Sequence, residues 1–201
     1  PGVALTSRRA TATNGAVLVL NAVVGATGRT VQLPQTAGPK PSFRDVVKLI
    51  DAMKSGAVSV LVIHGANPLY SLPPDAGFAE ALEKVGLVVS TAPMPDETAI
   101  KAHLVLPDHA PLESWGDAQP RPGVRSVVQP TLRPLFDTRA FGDTLLRSGR
   151  ALGDRTAALP AGETFQAVVE AAWSGTDWRQ ALMRGGVFEP AGSGPAPVAA
   201  G

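Results

Sequence analysis

Val58-Ser-Val-Leu-Val-Ile-His-Gly-Ala-Asn-Pro68 holds the key to the fold. Val58 to Ile63 is a continuous apolar, largely β-branched run, which reads as a strand covered on both faces. It stops at a Gly/Asn/Pro loop, the punctuation expected where a strand hands over to a helix. Downstream, Phe78, Ala81, Leu82 and Val85 mark a short amphipathic helix, and Leu87–Ser90 is a second buried strand. A polar turn through Pro93 to Thr98 leads to a third short strand, His103–Leu106, ended by Pro107. Upstream, Ser42 offers an N-cap to a helix over Phe43–Lys54, whose apolar stripe is Phe43, Val46, Val47, Ile50 and Met53 and which Gly56 closes. Strands alternating with helices at this spacing predict βαβ units. The fold class is therefore α/β, a Rossmann-like parallel sheet with helices on both faces.

The flanks are less regular. Residues 11–26 are apolar nearly all round at helical length and predict a buried helix, ended near Gly28, with Arg29 to Leu33 as a short strand. Residues 35–41 read as a turn region, and residues 107–139 as a long proline-rich loop of the kind that wraps a ligand or a partner. Helical periodicity returns at residues 140–152, 163–173 and 177–183, with Trp173 and Trp178 as packing anchors. Residues 190–201, almost all Pro, Gly, Ala, Ser and Val, read as a disordered linker.

Composition excludes several chemistries. With 201 residues and 44% hydrophobic content, the chain can bury one substantial core. The net charge of +1 and the absence of any block of like charge argue against nucleic acid as a partner. There is no cysteine, which excludes thiolate-ligated iron–sulfur clusters, disulfides and cysteine nucleophiles within these residues. The most apolar run, Ala16 to Ala26, is interrupted by Asn21 and Gly25 and falls short of the about 20 residues that cross a bilayer. The chain begins at Pro1 without a cationic head and apolar stretch, which reads as a processed or excerpted segment.

Two loops carry the candidate binding residues. In an open parallel sheet, ligands bind outside the carboxyl ends of the strands. Gly65, Asn67 and Pro68 follow the first strand: Gly65 permits close backbone approach, Asn67 supplies amide donors and an acceptor, and Pro68 stiffens the exit. They form either a wall for a nucleotide-like cofactor or an ordinary βα turn. Thr91, Asp96, Glu97 and Thr98 follow the second strand, where the carboxylates accept hydrogen bonds from a ribose or guanine or else cap the next turn. No G-x-G-x-x-G or Walker A loop is present. His64, His103 and His109 lack metal-ligand spacing, and Ser71 and Ser114 lack a nucleophile elbow. No acid–base or nucleophile set emerges, so catalytic and metal-binding residues are expected to be absent.

In order and spacing these segments resemble molybdopterin oxidoreductases. Val60-Leu-Val-Ile-His-Gly-Ala-Asn-Pro68 resembles that family's strand and G-x-N-P loop. Asp96-Glu-Thr-Ala99, Ala102-His-Leu-Val-Leu-Pro107, Glu113 and Gly116 follow in the family's order. Leu20-Asn-Ala-Val-Val-Gly25 and Gly28-Arg-Thr30 resemble its N-x-L-x-G-N-x-G-K-T helix end. The resemblance covers roughly residues 5–155. His64-Gly-Ala-Asn-Pro-Leu-Tyr-Ser-Leu-Pro73, Pro107-Asp-His-Ala-Pro-Leu-Glu-Ser-Trp-Gly-Asp117 and Gln129-Pro-Thr-Leu-Arg-Pro134 are similar to one branch, the large iron–sulfur/molybdopterin-like subunit of bacterial alternative complex III.

That resemblance implies a subunit fragment of a quinol:electron acceptor oxidoreductase of respiratory and photosynthetic chains. It implies residues 1–155 as the α/β domain, 156–189 as a helical extension and 190–201 as the linker. In this branch the molybdopterin-type fold is kept without a molybdenum cofactor, and iron–sulfur clusters lie elsewhere in the subunit. The implied partners are other domains of the same subunit, a multi-haem cytochrome c and integral membrane quinol-site subunits. The implied location is the extracytoplasmic, periplasmic face of the bacterial membrane. A vestigial pterin-type pocket would comprise Gly65, Asn67, Pro68, Thr91, Asp96, Glu97, Thr98 and Glu113. Two departures favour the cofactor-less branch: His103 stands where cofactor-binding members carry Asp, and Gln119-Pro-Arg-Pro-Gly-Val124 replaces an N-x-E-G-R loop. The alternatives are a domain binding molybdopterin guanine dinucleotide in an active molybdenum oxidoreductase, and an unrelated Rossmann-like nucleotide-binding module.

Overall fold

The computed structural model describes residues 11–31, 42–121, 123–153 and 159–188. The expected linker at 190–201, the turn at 35–41 and the end of the strand proposed near Leu33 lie outside the described residues. The chain forms two compact units: residues 40–118 with 127–185, and residues 1–39 with 119–126 and 186–201.

The larger unit is built on a parallel sheet of three strands in the order β1 (Val60–Ile63), β2 (Leu87–Ser90), β3 (Leu104–Val105). Val60 pairs with Leu87 and Ile63 with Ser90, while Val89 pairs with Leu104. The helices α2 (Phe43–Lys54), α3 (Pro68–Ser71) and α4 (Phe78–Leu82) accompany this sheet, which confirms the expected α/β, Rossmann-like class. Asp45 starts α2 by accepting from both the backbone N–H and the hydroxyl of Ser42, at 2.9 and 3.0 Å. Two bonds to one carboxylate hold Asp45 below the usual carboxylate range, the backbone bond being the stronger cause. Ile50 and Met53 of α2 meet Ile63, Phe78, Ala81, Leu82, Val85 and Val88 in a single buried cluster.

The expectation that β1 is covered on both faces is corrected. Ile63 is 8% exposed, whereas Val60 and Val62, on the opposite face, are 55% and 48% exposed. The side chains of a strand alternate, and only the face holding Leu61 and Ile63 belongs to the core cluster.

Beyond β3 the expected structureless loop is largely ordered. A 3-10 turn at Pro111–Glu113 leads into β4 (Gly116–Arg121) and β5 (Val124–Val128). Helices α5 (Phe141–Leu152), α6 (Phe165–Ala172) and α7 (Trp178–Arg184) follow, close to their expected spans. Thr164 caps α6 by accepting from Ala167 N, and Asp177 caps α7 by accepting from Gln180 N. Trp173 is buried, tilts against Trp178 at 6.0 Å between ring centroids, and donates from Nε1 to Asp117 at 3.0 Å. The anchoring role expected of both tryptophans therefore holds.

The smaller unit contains α1 (Thr11–Val23) and the pairing of β5 with β6 (Gly186–Phe188), the last strand of a sheet ordered β4-β5-β6. Val124 faces Phe188 and Ser126 faces Gly186 across an antiparallel register. A Cβ on Gly186 would collide with the Arg125 carbonyl, so this close approach needs glycine. The helix of α1 is as expected, but its burial is not. Asn21 is its one buried residue, and Leu18, Val19, Leu20 and Val23 are exposed. A helix apolar all round needs cover on every side, and the described residues do not supply it. Where a strand was expected after Gly28, an isolated bridge joins Thr27 and Val31 around a turn.

Candidate functional site

Because β1, β2 and β3 are parallel, their carboxyl ends share one rim, and the loops that leave them stand side by side there. The turn after β1 uses Gly65 in the left-handed region, at φ +62°, to redirect the chain into Asn67. Pro68 then occupies the first turn of α3, where its missing N–H costs nothing.

Asn67 joins the first loop to the second. Its amide Nδ2 donates to Glu97 Oε2 at 2.6 Å, and its Oδ1 accepts from the Thr98 hydroxyl at 2.7 Å. The same Thr98 oxygen accepts from Leu69 N at 3.1 Å, and Thr98 is fully buried. The bond from Asn67 is the leading cause that holds the Glu97 carboxyl below its usual range. Asp96 takes the capping alternative, accepting from Ala99 N at 2.7 Å. Gly65, Ala66, Asn67, Ala92, Pro93 and Asp96 line a cleft of about 260 Å³ between the two loops.

Thr91 lies beneath the rim, buried, with its hydroxyl 2.9 Å from His64 Nδ1. Asp108 Oδ2 stands 3.4 Å from that same nitrogen. A carboxylate there favours the tautomer with its proton on Nδ1. Asp108 Oδ1 also accepts from the backbone N–H groups of His109 and Phe141, at 2.8 and 2.9 Å. The His64–Asp108 pair escapes a reading by sequence spacing. The one usable signal is that Asp108 directly follows the third strand and its Pro107, and so falls on the same rim as His64.

Thus the structure brings Gly65, Asn67, Pro68, Thr91, Asp96, Glu97 and Thr98 together. Of these, Gly65, Asn67 and Asp96 line the cleft, and Glu113 stands apart from the group. Its two carboxylate oxygens accept from Ala110 N and Leu135 N, at 3.0 and 3.1 Å, and so brace the segment after β3. His103 Nδ1 accepts from Val88 N at 2.9 Å, and His109 Nδ1 lies 2.6 Å from the Thr138 hydroxyl. Among the described residues no group of three His, Asp or Glu side chains is placed to hold a metal ion.

No family model matches the chain. It is 36% identical over 104 residues to the menaquinone reductase molybdopterin-binding-like subunit of Nitratidesulfovibrio vulgaris, covering 50% of this chain and 15% of that one. It is 29% identical over 141 residues to the NADPH-Fe(3+) oxidoreductase subunit alpha of Geobacter sulfurreducens, covering 64% of this chain and 16% of that one. The matched stretches therefore span about one sixth of the length of these relatives. These similarities, one to a subunit that is molybdopterin-binding-like by name, support a molybdopterin-oxidoreductase-like relationship for this chain.

Proposed function

We propose that this chain is a scaffold segment of a quinone-linked oxidoreductase subunit of the alternative complex III type. In this reading it supports electron transfer and subunit assembly and holds no molybdenum cofactor itself. The domain boundaries at 155 and 189, the extracytoplasmic location, the cytochrome c and quinol-site partners and the iron–sulfur clusters elsewhere in the subunit belong to the same proposal. The similarity to a menaquinone reductase subunit supports the quinone link.

The observation that carries the scaffold reading is the state of the rim. The Asn67, Glu97 and Thr98 side chains, the polar groups suited to a nucleotide, are bonded to one another. The cleft between the loops, about 260 Å³, lies below the roughly 300–1,000 Å³ of ordinary small-molecule sites. A pterin dinucleotide is larger than an ordinary small molecule, so this cleft alone, as the described residues shape it, would not enclose the whole group, which supports the scaffold reading.

Metal analysis of the native protein tests the proposal. Less than about a tenth of an equivalent of molybdenum or tungsten is expected, since in this reading the fold is kept without the cofactor that would carry the metal. Stoichiometric metal would overturn the scaffold reading and favour the dinucleotide-binding alternative, which the position of the cleft at the strand tips supports. A large thermal shift with an ordinary nucleotide would favour the unrelated binding module instead.

A further inference from the structure

A second cavity, of about 840 Å³, opens between α5 and the segment that leads into α6. Arg139, Asp143, Arg147 and Arg150 line one side, and Gly162 and Glu163 belong to the other. Positions 143, 147 and 150 are spaced four and three apart, so they share one face of α5.

Among the described residues three guanidinium groups here face two carboxylates, and the partners are unevenly distributed. Asp143 and Arg147 stand at the spacing that usually forms a helical ion pair. Here Asp143 Oδ1 instead accepts from Phe165 N at 2.7 Å. Arg150 reaches across the cavity, its Nη1 donating to Glu163 O at 3.0 Å and its Nη2 to Gly162 O. It therefore serves as a strut. Neither Arg139 nor Arg147 has a carboxylate within 4.0 Å among the described residues. Thr164 also lines the cavity as the N-cap of α6, whose first turn carries no acidic residue. That helix end is already served, by the Asp143 carboxylate on Phe165 N and the Thr164 hydroxyl on Ala167 N, so the charge open to a ligand among the described residues is that of Arg139 and Arg147.

We propose that this cavity binds a small doubly charged oxyanion, a diphosphate or a dicarboxylate, recognised by Arg139 and Arg147. A guanidinium is a planar fork of donors that matches carboxylate or phosphate oxygens two at a time. The volume falls within the roughly 300–1,000 Å³ of small-molecule sites. The lining is polar, so recognition rests on charge and is weakened by salt. This inference is independent of the reading of the rim.

Titration calorimetry on the 201-residue chain with inorganic pyrophosphate, malonate or sodium chloride, at matched low ionic strength, tests it. Saturable one-to-one binding of pyrophosphate or malonate is expected, and whichever binds identifies the ligand class. Arg139→Gln and Arg147→Gln should each weaken that binding by about tenfold or more, since each removes a charge-assisted contact. Arg179→Gln, an exposed substitution on α7, should leave it unchanged. Both glutamine variants alter exposed side chains and should keep the parent melting temperature within about 2 °C. The proposal is overturned if neither oxyanion binds, if chloride matches them, or if binding survives both glutamine substitutions unchanged.

Discussion

The imidazole of His64 lies parallel to the Phe141 ring, with centroids 3.7 Å apart and planes inclined by 6°. This contact joins the tip of β1 to the first residue of α5. Asp108 reinforces the join, since its carboxylate approaches His64 Nδ1 while accepting from Phe141 N. A double-mutant cycle of His64→Ala and Phe141→Ala should therefore give a coupling of about 0.5–1.5 kcal/mol in urea unfolding. Additive effects of the two substitutions would mean that the rings do not stack in solution.

The Asn67–Glu97 bond makes a prediction in pH. Its donor favours the charged carboxylate, which depresses the folded-state pKa of Glu97 below the ordinary 4.5. A depressed carboxylate contributes stability above its unfolded pKa and loses it as the pH falls through the lower, folded value. In Asn67→Ala, the carboxyl signal of Glu97, followed by carbon NMR, should titrate closer to 4.5 than in the parent. An unchanged midpoint would show that the amide does not hold this carboxylate.

Thr98 is the buried member of the same bonded set. Thr98→Val keeps the shape but removes the hydroxyl that serves both Asn67 Oδ1 and Leu69 N. The expected loss is about 1–3 kcal/mol, the cost of leaving buried polar groups unpaired. Thr98→Ser keeps the hydroxyl and gives up a methyl group, worth about 0.8 kcal/mol. Equilibrium unfolding should rank valine below serine, and the reverse order would place the weight on packing.

At Gly65 a Cβ would meet nothing within 4 Å, yet φ is +62°. The penalty for substitution there is conformational, with no steric part. Gly65→Val should cost about 1–3 kcal/mol, while Gly65→Asn, better suited to the left-handed region, should cost less. Thermal melts of the two variants suffice. Equal stability would mean that the loop relaxes to another backbone path.

Much of this architecture was legible in the residues because the signals are local. The 3.6-residue stripe ending in Ile50 and Met53, and the β-branched run ending in Ile63, announce a helix and a strand without reference to anything distant. The same local character explains two misreadings. Residues 116–121, Gly-Asp-Ala-Gln-Pro-Arg, have neither the alternation nor the β-branched content of a strand, yet they pair as β4. Residues 11–26 look like buried helix, yet Val19 and Val23 stay exposed, since periodicity says which face is apolar and not what covers it.

The rim shows where that information stops. Glycine and proline after β1, and the Pro93-Met-Pro-Asp-Glu-Thr98 turn after β2, suffice to place two loops at the ends of neighbouring strands. That Asn67 meets Glu97 and Thr98, about 30 residues on, depends on the register that sets Ile63 beside Ser90. Register and packing arise from contacts between segments far apart in the chain, so no local pattern encodes them. The order of the main helices and strands from α2 to β3 was the sequence's own. Which polar groups satisfy one another, and which apolar faces stay open, was decided only by the tertiary structure.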